Sequence, residues 1–340
     1  MAFVNRNLRA GAGKEGDAVK KREICMVYFD SQGLSHPRHM AEHFAEMRDL
    51  GADSVFTQFL EEGSGRWLAF KTRLAHDAGL KVYAAPGRIA GVFSAGPRPG
   101  SMFALQNPDT VMRDEADRPV IGVSGMVCCV NQPKFQAWFY PLIQTILMES
   151  NVDGVAFDEP KEVRVPCWCS VCRSLVKEPT REALVALRED SMAAMLGRVG
   201  AMMKQEKPGF TALAMLLPHE NDRFIEMVAR QSGVDTVGVD GPLSPTGTDP
   251  AIRRRKKPLL ESAPRFVRLA QAAGKRAFVL AETFDVQSWA CPDLAENLPK
   301  LADLDADIYG FNYYPHDNDD PEAVMNLVRN AAVGLKKRAG

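Results

Sequence analysis

Eight short runs of apolar, β-branched or aromatic residues punctuate the chain: EICMVYF (23–29), DSVFTQF (53–59), KVYAAPG (81–87), DGVAFDE (153–159), FTALAML (210–216), DTVGVDG (235–241), RAFVLAE (276–282) and DIYGFNY (307–313). Most are continuously apolar and do not alternate, which is the pattern of parallel strands covered on both faces. Between them lie segments with helical spacing, such as HMAEHFAEMRDLG, WLAFKTRLAHDAG and FQAWFYPLIQTILMES. Several of these end in glycine, as helix C-termini often do. The runs start 25 to 72 residues apart, so each interval holds one βα unit and a loop of variable length. Eight such units predict an α/β fold, a single (β/α)8 (TIM) barrel over residues 23–340 with long loops after strands 3 and 4. A doubly wound open sheet would prefer about six strands and a glycine-rich turn after the first. Here that turn reads FDSQGLSHP, with one glycine.

The 46% hydrophobic and 25% charged residues are those of a soluble globular protein. A formal charge of -1 removes any general case for attraction to nucleic acid or to a membrane surface. No run approaches the roughly 18 apolar residues that a membrane span needs. Residues 1–22, MAFVNRNLRAGAGKEGDAVKKR, lack the apolar stretch of a signal peptide and read as a flexible leader. A cytoplasmic location is the resulting expectation, and there the seven cysteines would be thiols, so their spacing becomes informative.

In a barrel, the C-terminal ends of the strands converge on one pocket. The runs deliver Asp30, Gln58 and Glu61, Arg88, Asp158 and Glu159, Asp240, Glu282, and Asn312, Tyr313 and Tyr314 to that end. Two carboxylates facing one another there are what cleavage of a glycosidic bond requires: one protonates the leaving oxygen, and the other attacks or stabilises the oxocarbenium-like centre. Helix capping or salt bridges to loop arginines would use the same residue types. Successive strand residues point to opposite sides, so a regular strand 4 would turn only one of Asp158 and Glu159 to the pocket.

VDGVAFDEP resembles the Asn-Glu-Pro ending of strand 4 in the large clan of retaining (β/α)8 glycosidases, and VLAETF matches the nucleophile position at the end of strand 7. The resemblance implies Glu159 as acid/base and Glu282 as nucleophile. It departs from the clan at Asp158, where an Asn is usual. An ionised Asp only accepts hydrogen bonds, and its charge favours the protonated form of a neighbouring acid.

Cys167, Cys169 and Cys172 form C-x-C-x-x-C, a spacing that lets three thiolates turn around one zinc ion. A closed site needs a fourth ligand, and CCVNQPKF offers Cys128 or Cys129. The arrangement resembles family 42 β-galactosidases, in which a Cys in a C-P-N-S-P-like segment joins such a motif soon after the strand-4 acid. That resemblance implies Cys129 and a structural zinc tying the two long loops together. The reading calls for no organic cofactor.

Further sugar contacts are expected from Asp158, Arg88, Asp240, Gln58, Tyr313 and Trp289, the last as a stacking wall. Trp67 and Trp138 sit in helical patterns and read as packing residues, the run RRRKK (253–257) as a solvated loop, and His316 as a residue near the pocket rim. The expected partner is a small glycoside or oligosaccharide, with no nucleic acid or membrane and with a homo-oligomer allowed. The alternatives are a non-catalytic carbohydrate-binding barrel and a metal-dependent hydrolase of another class.

Overall fold

A computed structural model describes residues 22–29, 35–61, 64–95, 100–123, 125–245, 258–315 and 317–337. The leader up to residue 21, Asp30, the basic run 253–257 and His316 lie outside the described residues. All eight predicted runs are strands: β1 (Glu23–Val27), β2 (Ser54–Phe59), β3 (Lys81–Pro86), β4 (Gly154–Asp158), β5 (Thr211–Leu216), β6 (Thr236–Pro242), β7 (Arg276–Glu282) and β8 (Ile308–Asn312). They pair in parallel in sequence order, and β8 closes on β1. The chain is a (β/α)8 barrel.

The eight helices that follow the strands are α1 (Pro37–Asp49), α2 (Gly65–Asp77), α3 (Pro133–Glu149), α4 (Arg181–Glu206), α5 (Asp222–Ala229), α6 (Leu259–Ala272), α7 (Cys291–Asn297) and α8 (Pro321–Lys337). Helix α7 has no clear periodic signature in the sequence. It is two turns long, carries Pro292 in its first turn, and passes at Leu298–Leu304 into a 3-10 segment containing Pro299. The loop after β3 also carries the helix Met102–Gln106 and a hairpin pairing Ile121–Gly122 with Gly125–Met126.

Side chains separate by strand parity into two layers. Cys25, Val27, Phe56, Tyr83, Ala85, Ala156, Leu213, Met215, Phe278, Leu280 and Ile308 fill the barrel interior. Residues of the other parity, such as Val55, Val155, Val237 and Val279, join the larger core between strands and helices. Phe278 fits between β6 and β8 because its neighbours are Gly238 and Gly310. A Cβ at either would come within 2.5 or 2.7 Å of β7 atoms.

One device repeats four times around the N-terminal face. Asp53, Asp153, Asp235 and Asp307 each stand just before an even-numbered strand. Each accepts, at 2.8–2.9 Å, the N–H of the second residue of the preceding odd strand: Ile24, Val82, Ala212 and Ala277. In the helix layer Asp53 pairs with Lys336 and Asp235 with Lys204, and Asp153 meets the His76 ring at 2.8 Å. Beneath them, buried Glu23 accepts from Ser54 and Tyr83 at 2.8 Å and pairs with Arg276 at 2.9 Å. Polar groups at this face lock strand register and leave the opposite face to the long loops.

Candidate active site and thiol cluster

Even-numbered residues of β2, β4, β6, β7 and β8 point inward, so at the C-terminal end the same parity presents Gln58, Asp158, Asp240, Glu282 and Asn312. Gln58 and Glu282 are 2% exposed, and Asp158 and Asp240 are 6% exposed. Burial, and then the charge of Glu159, pushes the Asp158 carboxyl up to about 7, against the pull of Lys161.

Strand β4 does not continue past Asp158. Glu159 takes a left-handed conformation with φ 40°, and its N–H donates to Met215 O at 3.0 Å. This break lifts the restriction that alternation would impose. Asp158 points inward by parity, and Glu159 swings to the same end: one carboxylate oxygen each of Glu159, Asp240 and Glu282 lie within 4.8 Å of one another. Glu159 Oε2 is ion-paired with Lys161 Nζ, and both side chains are about a tenth exposed. Lys161 was not among the residues singled out in the sequence. Its only signal there is a positive charge two residues after an acid, across Pro160.

The end of β7 is pinned to β8. The Thr283 N–H donates to Asn312 Oδ1 at 2.9 Å, the Asn312 N–H donates to Thr283 Oγ1 at 3.0 Å, and Asn318 Nδ2 donates to Thr283 O at 2.9 Å. Asn312 therefore orients the residue next to Glu282. Beneath β2, buried Lys71 donates to Gln58 O at 3.1 Å and Thr57 Oγ1 at 2.9 Å, which fixes the backbone that carries Gln58.

Two sequence expectations are corrected. Tyr313 does not face the pocket: its hydroxyl donates to Glu46 of α1 at 2.6 Å, and its ring meets Tyr28 edge-on in the layer between barrel and helices. Glu61 is not a pocket acid, because its two oxygens accept from the Ala90 and Phe103 N–H groups and from the Ser101 hydroxyl, tying down the loop after β3. Arg88 begins that loop with φ 50° and its N–H on Ser94 O at 2.8 Å. Trp289 lies on a short helix after β7 and is 47% exposed. Trp67 stacks on Phe70 and Trp138 on Phe103, as packing residues do.

Cys129, Cys167, Cys169 and Cys172 are buried with all four sulfurs within 4.8 Å of one another. Cys129 Sγ is 3.3 Å from Cys172 Sγ and 3.8 Å from Cys169 Sγ. Four Zn–S bonds of about 2.3 Å in a tetrahedron put sulfurs about 3.8 Å apart, so the thiols fit such an ion. Asn131 Nδ2 and the Cys172 N–H point at Cys172 Sγ and Cys169 Sγ, at 3.4 and 3.5 Å. Cys128 points elsewhere. Its thiol is 3.4 Å from Thr110 Oγ1, and burial pushes it up to about 11. The cluster joins the loop after β3 to the loop after β4, within a small apolar core that includes Met112, Val127 and Leu184.

No family model matches the chain, and no curated protein sequence does. Among solved structures it is similar to the β-galactosidase of the Antarctic haloarchaeon Halorubrum lacusprofundi, with TM-score 0.70 and 14% identity over 92% of this chain and 58% of that one. It is also similar to the cold-adapted β-galactosidase of Rahnella sp. R3, with TM-score 0.68 and 13% identity over 95% of this chain and 57% of that one. A third similar structure is the catalytic domain of a Paenibacillus polymyxa β-amylase, with TM-score 0.60 and 11% identity over 94% and 98%. The chain thus spans less than two thirds of the length of these β-galactosidases. At such identities the likeness establishes a shared barrel fold.

Proposed function

We propose that the protein hydrolyses a small glycoside or oligosaccharide with retention of anomeric configuration. The observation that carries this reading is the approach of buried Glu159 and Glu282, from the ends of β4 and β7, to within 4.8 Å of one another through one carboxylate oxygen each. A carboxyl separation of roughly 5–5.5 Å is the range in which one group attacks directly, and wider gaps leave room for water. In the forward step the Glu282 carboxylate bonds to the anomeric carbon as the glycosidic bond breaks, and Glu159 gives its proton to the departing oxygen. In the second step Glu159 takes a proton from water, the resulting hydroxide bonds to the same carbon, and the bond to Glu282 breaks. Gln58, Asp158, Asp240 and Arg88 are the proposed contacts to sugar hydroxyls, and exposed Trp289 is a proposed stacking surface. The barrels of the β-galactosidases and the β-amylase lend this reading support at the level of fold.

The thiol cluster is proposed to hold zinc through Cys129, Cys167, Cys169 and Cys172. Four thiolates close the coordination shell, so the ion's contribution is structural and the carboxylates carry the chemistry.

A panel of activated aryl glycosides assayed with wild type and Glu282→Ala tests the proposal. The expected result is a loss of about three orders of magnitude or more in the variant, restored in part by azide with formation of a glycosyl azide of inverted configuration. Full activity in Glu282→Ala would end the assignment.

A further inference from the structure

A general acid must hold a proton, yet Glu159 is ion-paired with an ammonium in a nearly buried setting. An opposite charge at that distance favours the ionised carboxylate. The backbone that carries Lys161 is held on both sides. Its N–H donates to Val92 O at 2.6 Å, its carbonyl accepts from fully buried Arg188 of α4 at 3.4 Å, and Pro160 separates it from Glu159. Among the described residues, the charged groups around the pair include Asp158 on the same strand, Asp240 of β6, Glu282 of β7, Arg188 of α4 and, from the loop after β5, Glu220 with Arg164, Glu189 and Arg265 beside it. The carboxylates push toward protonation of Glu159 and Lys161 opposes them.

We propose that Lys161 is a positioning residue that acts through Glu159, setting the pH above which the site can no longer donate a proton and stabilising the carboxylate formed as the proton leaves. The second effect strengthens as the leaving oxygen takes the proton, so it lowers the barrier more than it stabilises the ground state. It matters most for aglycones that are poor leaving groups. This inference rests on the acid/base reading of Glu159.

The test compares wild type, Lys161→Met and Lys161→Arg. Profiles of kcat/KM against pH are measured with a phenyl glycoside, which needs protonation, and with a 2,4-dinitrophenyl glycoside, which does not. For the phenyl glycoside, the alkaline limb of Lys161→Met is expected to move up by about one pH unit or more. Lys161→Arg should return it toward wild type, and the dinitrophenyl profiles of all three should coincide. A limb that stays in place, or equal losses with both leaving groups, overturns the proposal.

A second readout does not depend on turnover: 13C NMR titration of glutamate carboxyls, with the Glu159 signal assigned by its absence in Glu159→Gln. Glu159 is expected to titrate at lower pH in wild type than in Lys161→Met, and equal midpoints overturn the proposal. If no glycoside is cleaved by wild type, the functional reading fails while the titration still decides the role of Lys161.

Discussion

Asp158 and Glu159 are adjacent in sequence and nearly equal in burial, and both feel the neighbouring carboxylates and Lys161, but only Glu159 is in direct contact with the ammonium. Asp158 has desolvation and two neighbouring carboxylates against it, whereas Glu159 has an ammonium in contact. Glu220, behind Lys161, resembles Asp158: burial raises it to about 7, with Arg164 only partly compensating. Asp158 and Glu220 both move from ordinary values of 3.8 and 4.5 to about 7, so the folded protein binds their protons more tightly than the unfolded chain does. Their stabilising effect is fully present below the ordinary values and is lost as pH rises through about 7. The thermal midpoint is therefore expected to fall between pH of about 4 and 7 more steeply in wild type than in Asp158→Asn/Glu220→Gln. Parallel slopes would show that the burial of these two groups does not control the pH response.

At the scale of elements, the site depends on two long loops that carry little regular structure, and the thiol cluster is what joins them. Cys129→Ser is expected to lose bound zinc, measured by elemental analysis of the purified protein, and to lower the thermal midpoint by several degrees. Cys128→Ser should keep about one equivalent of zinc, because its thiol faces Thr110 and not the cluster. Equal zinc contents in the two variants would contradict the assignment. The sequence left the choice between these neighbours to a resemblance, and the fold makes it by side-chain direction.

The same alternation explains what was legible elsewhere. Applied to β8, parity turns Ile308, Gly310 and Asn312 inward and Tyr313 outward, so the sequence contained the reason that Tyr313 packs on α1 and Asn312 supports the pocket. Glu159 was not legible in this way. A left-handed φ at a residue other than glycine has no local sequence signature, and it is what frees Glu159 from the alternation of β4.

For the whole molecule, the two faces of the barrel divide the work. The N-terminal face is closed by Glu23, Ser54, Tyr83 and Arg276 and by the four aspartates that bracket the strands, all paired and oriented toward register and stability. The C-terminal face gathers the buried carboxylates Asp158, Glu159, Asp240 and Glu282, an arrangement enriched at functional sites of barrels. Continuous apolar runs made the barrel readable because strands covered on both faces admit few polar residues. The four aspartates stood in plain view at the head of even-numbered runs, but their shared role emerges only when neighbouring strands are paired. Helix α7, only two turns long and followed by a 3-10 segment that contains Pro299, was readable only by counting strands.

The central claim is that Glu282 forms a covalent bond to the sugar, and the most direct measurement is mass spectrometry after incubation with 2,4-dinitrophenyl 2-deoxy-2-fluoroglycosides, whose fluorine slows release of the intermediate. The account predicts a mass increase of one fluoroglycosyl unit for a reactive member of the series, located by peptide mapping on Glu282 and absent in Glu282→Gln. Labelling at Asp158, Glu159 or Asp240 in its place, or turnover of the parent glycoside with inversion, would contradict it.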